Sequence, residues 1–88
     1  MSPVIYDVDY VPHDNVLFVT GVDSIIACSN SVPRNGCVIL HHDAYGATVG
    51  LDMLEASQMT IENWLPFYGP VPRVLFIIVF KWLKGRGQ

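Results

Sequence analysis

Charge is scarce in this chain. Only 15% of its 88 residues are charged, against about 25% in an average globular protein, and the five Lys and Arg are outnumbered by eight Asp and Glu. So few cations argue against nucleic acid as a ligand, because a phosphate-binding surface needs clustered Lys and Arg. Cysteine is sparse too. Cys28 and Cys37 are the only two, too few for a disulfide framework, and their apolar, strand-like settings favour free buried thiols. The longest unbroken apolar run covers residues 74–80, far short of the roughly 20 residues that a membrane-spanning helix needs. An apolar signal core is missing from the first residues, where Met1-Ser2-Pro3 is uncharged and Asp7 and Asp9 break up the next apolar stretch; the compartment expected is the cytosol. There is no Gly-x-Ser-x-Gly elbow and no Gly-rich phosphate loop between a strand and a helix.

What the chain has in abundance is apolar surface, at 51% of residues. A domain this small buries a limited core and keeps only a few kcal/mol of net stability, so an interface is expected to hide the remainder. Charge is also unevenly placed. All eight acids lie within residues 1–62 against Arg34 alone, which gives that stretch −7, whereas residues 63–88 carry Arg73, Lys81, Lys84 and Arg86 and no acid. An acidic body and a basic tail suit a tail that folds back on its own body or on a partner's.

Local patterns give a mainly β reading, with α+β as the variant. Residues 4–11 alternate, with Tyr6, Val8 and Tyr10 on one face and Asp7 and Asp9 on the other, the period of 2 of a half-buried strand. Pro12-His13-Asp14-Asn15 supplies a turn, and residues 16–20 a second strand rich in β-branched and aromatic side chains. Residues 24–29 read as a third strand through Ile25, Ile26 and Cys28, residues 31–36 as a loop, and residues 36–42 and 47–54 as two strands of a hairpin. Between those two, Asp43-Ala44-Tyr45-Gly46 has the chemistry of a type I turn with a bulge, Asp bonding its own backbone and Gly accepting positive φ.

The expected fold is a small antiparallel β-meander over residues 1–58. A Pro- and aromatic-rich linker comes next at 59–72, with a helical turn at 61–65 capped by Thr60 and stopped by Pro66. An apolar-basic C-terminal segment, 73–88, docks on another surface. Helix and strand both remain open for residues 73–84, since Pro72 suits a first helical turn while the β-branched and aromatic content favours a strand.

One set of residues carries a family likeness. Tyr10-Val11-Pro12-His13-Asp14-Asn15-Val16-Leu17-Phe18-Val19, together with Gly36, Ile39, Leu40, Asp43, Gly46, Gly50, Leu54, Ala56 and Ser57, resembles the short proteins of domain-of-unknown-function family 2283. The resemblance covers about residues 10–57. Val11, Asn15 and His41 stand where that family has aspartates, which removes three carboxylates from any cation site. It implies a small β-rich domain and no particular reaction.

Candidate chemistry centres on His41-His42-Asp43, with His13-Asp14 as a companion. In a strand, His41 and His42 point to opposite faces, so a metal would need one of them joined by Cys37, Cys28 or His13 from elsewhere; no metal or cofactor is expected. Asp7 with Asp9, and Asp52 with Glu55, read as solvated surface. Trp64, Phe67, Tyr68, Phe76, Phe80 and Trp82 are the candidate interaction residues, because interface centres are rich in aromatics and poor in charge; the same side chains can instead complete the chain's own core. The expectation is a non-enzymatic interaction or self-assembly module, a homo-oligomer with a dimer favoured or the binder of another protein. The alternative is peripheral attachment to an anionic membrane through the basic apolar tail, and a weaker one is a metal-dependent site at His41 and His42.

Overall fold

Residues 5–32 and 37–86 are described by the computed structural model. Among these residues five strands form: β1 (Tyr6–Val11), β2 (Val16–Gly21), β3 (Cys28–Ser31), β4 (Val38–His42) and β5 (Thr48–Leu54). Two helices come after them, α1 (Ile61–Trp64) and α2 (Arg73–Gly85), with 3-10 turns at Ala56–Gln58 and Leu65–Phe67. The fold is thus a five-stranded antiparallel sheet with helical parts, mainly β as expected. Its spatial order is β1-β2-β5-β4-β3. A three-stranded meander runs through β3, β4 and β5, and the β1-β2 hairpin joins its β5 edge. The expected loop at 31–36 lies mostly outside the described residues, as do Val4, Gly36 and the last two residues of the tail.

Turn chemistry sets the hairpins. Asp43 Oδ1 accepts hydrogen bonds from the N–H groups of Tyr45 and Ala47, both at 2.9 Å, and Gly46 takes φ +85°, so the β4-β5 turn is the one its residues specify. The β1-β2 turn relies on Asn15, which adopts φ +55°, a conformation Asn tolerates better than most residues. Its side chain accepts from the Tyr10 hydroxyl at 2.8 Å and the Ser57 N–H at 2.9 Å and donates to Ser57 Oγ at 2.9 Å. One asparagine thereby ties the first hairpin to the end of β5.

The third strand differs from expectation. Residues 24–27 are not in a strand, and Ile25 is 82% exposed. The reason lies in the register: Cys28 is opposite His42, the last residue of β4, and the pairing ends where the Ala27 N–H donates to the His42 carbonyl at 2.8 Å, beside the start of the Asp43 turn. Cys28 is exposed rather than buried. It lies at the opposite end of β4 from Cys37, so the two sulfurs are not brought together.

The C-terminal segment is a helix of 13 residues starting after Pro72. Leu75, Phe76, Val79 and Leu83 are buried, the 3.6-residue period of a face laid on a core. They cover Leu17, Val19, Val38, Leu40, Leu51 and Met53 of the sheet in one cluster with Trp64, Phe67 and Val71. Strand preference in the β-branched side chains yields to this, since a helix satisfies its own backbone and can lie across a sheet face whereas a strand must find a free edge. Thr60 caps α1 by accepting from the Asn63 N–H at 3.1 Å. The Trp64 indole donates to the Phe76 carbonyl at 3.1 Å and stacks on Phe67 and Phe76 at 4.9 and 5.4 Å. The described parts of the segments 1–58, 59–72 and 73–88 therefore share one core.

Gly50 makes a direct test of the sheet packing. A Cβ there would lie 2.6 Å from the Val19 carbonyl oxygen and 3.1 Å from the Thr20 Cα, backbone atoms that cannot swing aside. Gly50→Ala is expected to cost about 2 kcal/mol, roughly 10 °C in Tm. Gly85, with open space around it, should accept alanine without loss; equal thermal melts for the two variants would contradict this packing.

Candidate functional site

Cross-strand register sorts the side chains of the sheet into two faces. One is the apolar face under α2. On the other, Ser29 stands opposite His41, His41 opposite Gly50 and Gly50 opposite Thr20, with Asp7 beyond. The adjacent row on that face is Ser31, Ile39, Asp52, Phe18 and Asp9. Among the described residues, no helix lies over these two rows.

Three side chains on this face meet. Ser29 Oγ is 2.6 Å from His41 Nδ1, and His41 Nε2 is 2.9 Å from Asp52 Oδ1. The His41 side chain is 12% exposed and Asp52 20%, while Ser29 sits exposed on the edge strand. Since an ionised carboxylate only accepts, Nε2 carries the hydrogen; in the neutral ring Nδ1 is then bare and accepts from the Ser29 hydroxyl. A hydroxyl bonded to a base that is itself held by a carboxylate is the nucleophile-base-orienter arrangement of acyl-transfer chemistry.

A β-bulge brings this set together. His42 is opposite Thr48 but His41 is opposite Gly50, so Val49 is an extra residue on β5. Without it, His41 would oppose Val49, and Asp52 would oppose Val38 on the other face. Sequence patterns mark His41 and Asp52 separately but carry no signal for the bulge, and they place Ser29 only as the last residue of a strand.

The other expected chemistry is dispersed. His42 points away from His41, its Nδ1 3.1 Å from Thr48 Oγ1, as strand alternation dictates, and His13 lies in the exposed β1-β2 turn. Among the described residues, no three His, Cys, Asp or Glu side chains are grouped to hold a metal ion.

The aromatic candidates divide. Trp64, Phe67 and Phe76 are buried in the chain's own core, the core-completing role that the sequence left open to them: the sheet face needs bulky cover, and they supply it. Phe80 and Trp82 are half-buried against that core. At the end of α2, Arg86 lies over the rings of Trp82 and Tyr10 at 4.6 and 5.0 Å, so this part of the basic tail folds onto its own β1. Tyr68 alone of the six is exposed, and it is joined by residues that aromatic content does not flag. Leu65, Tyr68, Val74 and Ile77 are 52%, 58%, 48% and 38% exposed, and Leu65, Tyr68, Arg73, Phe76 and Ile77 line a shallow groove of about 430 Å³. Arg73, Lys81 and Lys84 are exposed on the same helix. Among the described residues, no helix is long and apolar enough to cross a membrane.

No family model matches the chain, and no curated protein or solved structure is significantly similar to it.

The hydrogen-bond assignment at His41 is directly measurable. Long-range ¹H–¹⁵N correlation spectra of neutral His41 should show the proton on Nε2, and Asp52→Ala should weaken that preference. A dominant Nδ1–H form in the unaltered chain would contradict the arrangement.

Proposed function

We propose that this chain is a protein-interaction module that self-associates, with the groove beside α2 as its contact surface and a dimer as its assembled form. The observation that carries the reading is the clustering of exposed Leu65, Tyr68, Val74 and Ile77 in a chain with so little charge. Contiguous apolar patches on small proteins mark interaction sites. A second copy is favoured as the occupant because the patch carries both signs of charge. Arg73 lines the groove, and exposed Glu62 precedes Leu65 by three residues, close to it on the helical surface. In a two-fold contact each residue meets its counterpart reciprocally, so Glu62 of one copy can face Arg73 of the other twice over.

The likeness of residues 10–57 to domain-of-unknown-function family 2283 belongs to this proposal as support for a shared small β fold. Its positions Asp43, Gly46, Gly50 and Ser57 serve backbone geometry and assign no reaction. A cytosolic setting fits the same reading. A second reading has its own observation: Arg73, Lys81 and Lys84 are exposed beside Val74 and Ile77 on one helix, which suits an anionic membrane surface.

Deleting α2 is not an informative test. Its four buried side chains are worth about 6–12 kcal/mol by transfer, comparable with the entire stability of a small domain. Charge reversal at exposed sites leaves the core alone. By light scattering and sedimentation at micromolar concentration, the full chain should be a dimer. Glu62→Arg and Arg73→Glu should each weaken dimerisation about tenfold, the energy of one unfavourable charge contact being of order 1.4 kcal/mol, and the double reversal should restore it. A monomeric full chain defeats the proposal, and a monomer that co-sediments with anionic vesicles at low salt replaces it with the membrane reading.

A further inference from the structure

The open face of the sheet, on the side away from α2, carries chemistry that the proposed contact surface does not use. We propose that Ser29, His41 and Asp52 form an acyl-transfer site, with Ser29 as nucleophile, His41 as general base and then general acid, and small uncharged carboxylic esters as its substrates. Two hydrogen bonds in series supply the geometry. Ser29 Oγ lies 2.6 Å from His41 Nδ1 and His41 Nε2 lies 2.9 Å from Asp52 Oδ1, both within the range a working relay requires. The three residues come from three adjacent strands and are set by ladder register, so the rigid sheet fixes their spacing. His41 is mostly buried whereas Ser29 is exposed on the edge strand. The base is thus held in place and the nucleophile is open to a substrate.

The steps balance with water as the only co-reactant. Ser29 Oγ bonds to the ester carbonyl carbon as its proton passes to His41 Nδ1; the bond from that carbon to the alcohol oxygen breaks, and the leaving oxygen takes the proton from Nδ1. Water then gives a proton to Nδ1 and its oxygen bonds to the acyl carbon. The bond to Ser29 Oγ breaks, the proton returns to that oxygen, and the carboxylic acid leaves. Asp52 is a positioning residue: it holds Nε2–H and stabilises the imidazolium that forms.

The surroundings select the substrate class. Asp52 and Asp9 share the neighbouring row and Asp7 ends the row of His41 itself, so an anionic ester meets a negative surface. Half-buried Ile39 and Phe18 flank Asp52 on the same face and offer apolar contact for a short acyl or aryl group. Charged groups near His41 on this face are Asp52 from β5 and Asp7 from β1.

The test uses the full chain with p-nitrophenyl acetate. The expected result is acetylation mapped by mass spectrometry to Ser29, with release of p-nitrophenol at least a hundredfold faster than from the same chain unfolded in urea. Ser29→Ala should abolish labelling and His41→Gln should slow it by a hundredfold or more, with unchanged circular dichroism in each. The pH profile of release should differ between the unaltered chain and His41→Gln. Asp52→Asn should slow acylation and alter the pH profile while leaving the dimer intact, which separates this proposal from the one about α2. Labelling spread over other residues, a rate equal to that of the unfolded chain, or full activity in Ser29→Ala would each overturn it.

Discussion

Leu17, Val19, Val38, Leu40, Leu51 and Met53 form one face of a five-stranded sheet, and they would meet water if α2 were not laid across them. That single burial requirement organises the molecule. Leu75, Phe76, Val79 and Leu83 supply the covering stripe, and the segment between β5 and α2 fills the space beside it with Trp64, Phe67 and Val71. The indole of Trp64 meets the otherwise polar demand of its ring nitrogen by donating to the Phe76 carbonyl, so a large aromatic can be wholly buried without an orphaned donor. What looks in the sequence like a proline-rich linker is therefore a packed wedge.

The same requirement explains why the helix has two unlike faces. Its inward stripe is consumed by the sheet, and its outward side keeps Val74 and Ile77 beside Arg73, Lys81 and Lys84. Leu65 and Tyr68 share a groove with Arg73 and Ile77, and it is on this groove, with Glu62 as its acidic neighbour, that the proposed self-association rests. The end of the helix is closed differently. There Arg86 lays its charge on the rings of Trp82 and Tyr10, and Tyr10 in turn donates to Asn15. Basic tail, first strand and first turn are one connected contact.

The far side of the sheet obeys another constraint. With no helix over it among the described residues, its side chains satisfy one another across the strands, and Ser29, His41 and Asp52 do so through two short hydrogen bonds. The division of labour is physical: apolar burial fixes the strands from one side, and the rigid ladder then presents polar groups at fixed spacing on the other. Groups held in that way on a sheet can act on a ligand, because their positions are set by backbone register and not by their own flexible side chains.

Much of this was written locally. The period-2 pattern of β1, the turn residues Asp43 and Gly46 and the Thr60 cap each depend on neighbours a few positions away, and each is found where the sequence places it. The shift of β3 to Cys28–Ser31, the choice of helix for residues 73–85 and the burial of Trp64, Phe67 and Phe76 depend on what the rest of the chain leaves available. β3 can only pair as far as β4 extends, and an apolar segment takes the form that covers an existing face. The Ser29-His41-Asp52 set depends on still less that is local. His41 and Asp52 share a face only because Val49 is an extra residue on β5, and a shift of one residue in strand register exchanges the two faces of a sheet. The sequence by itself determined strands, turns and caps, whose energies are short-range; the tertiary structure decided register, cover and site, because those are contacts between residues distant in the chain.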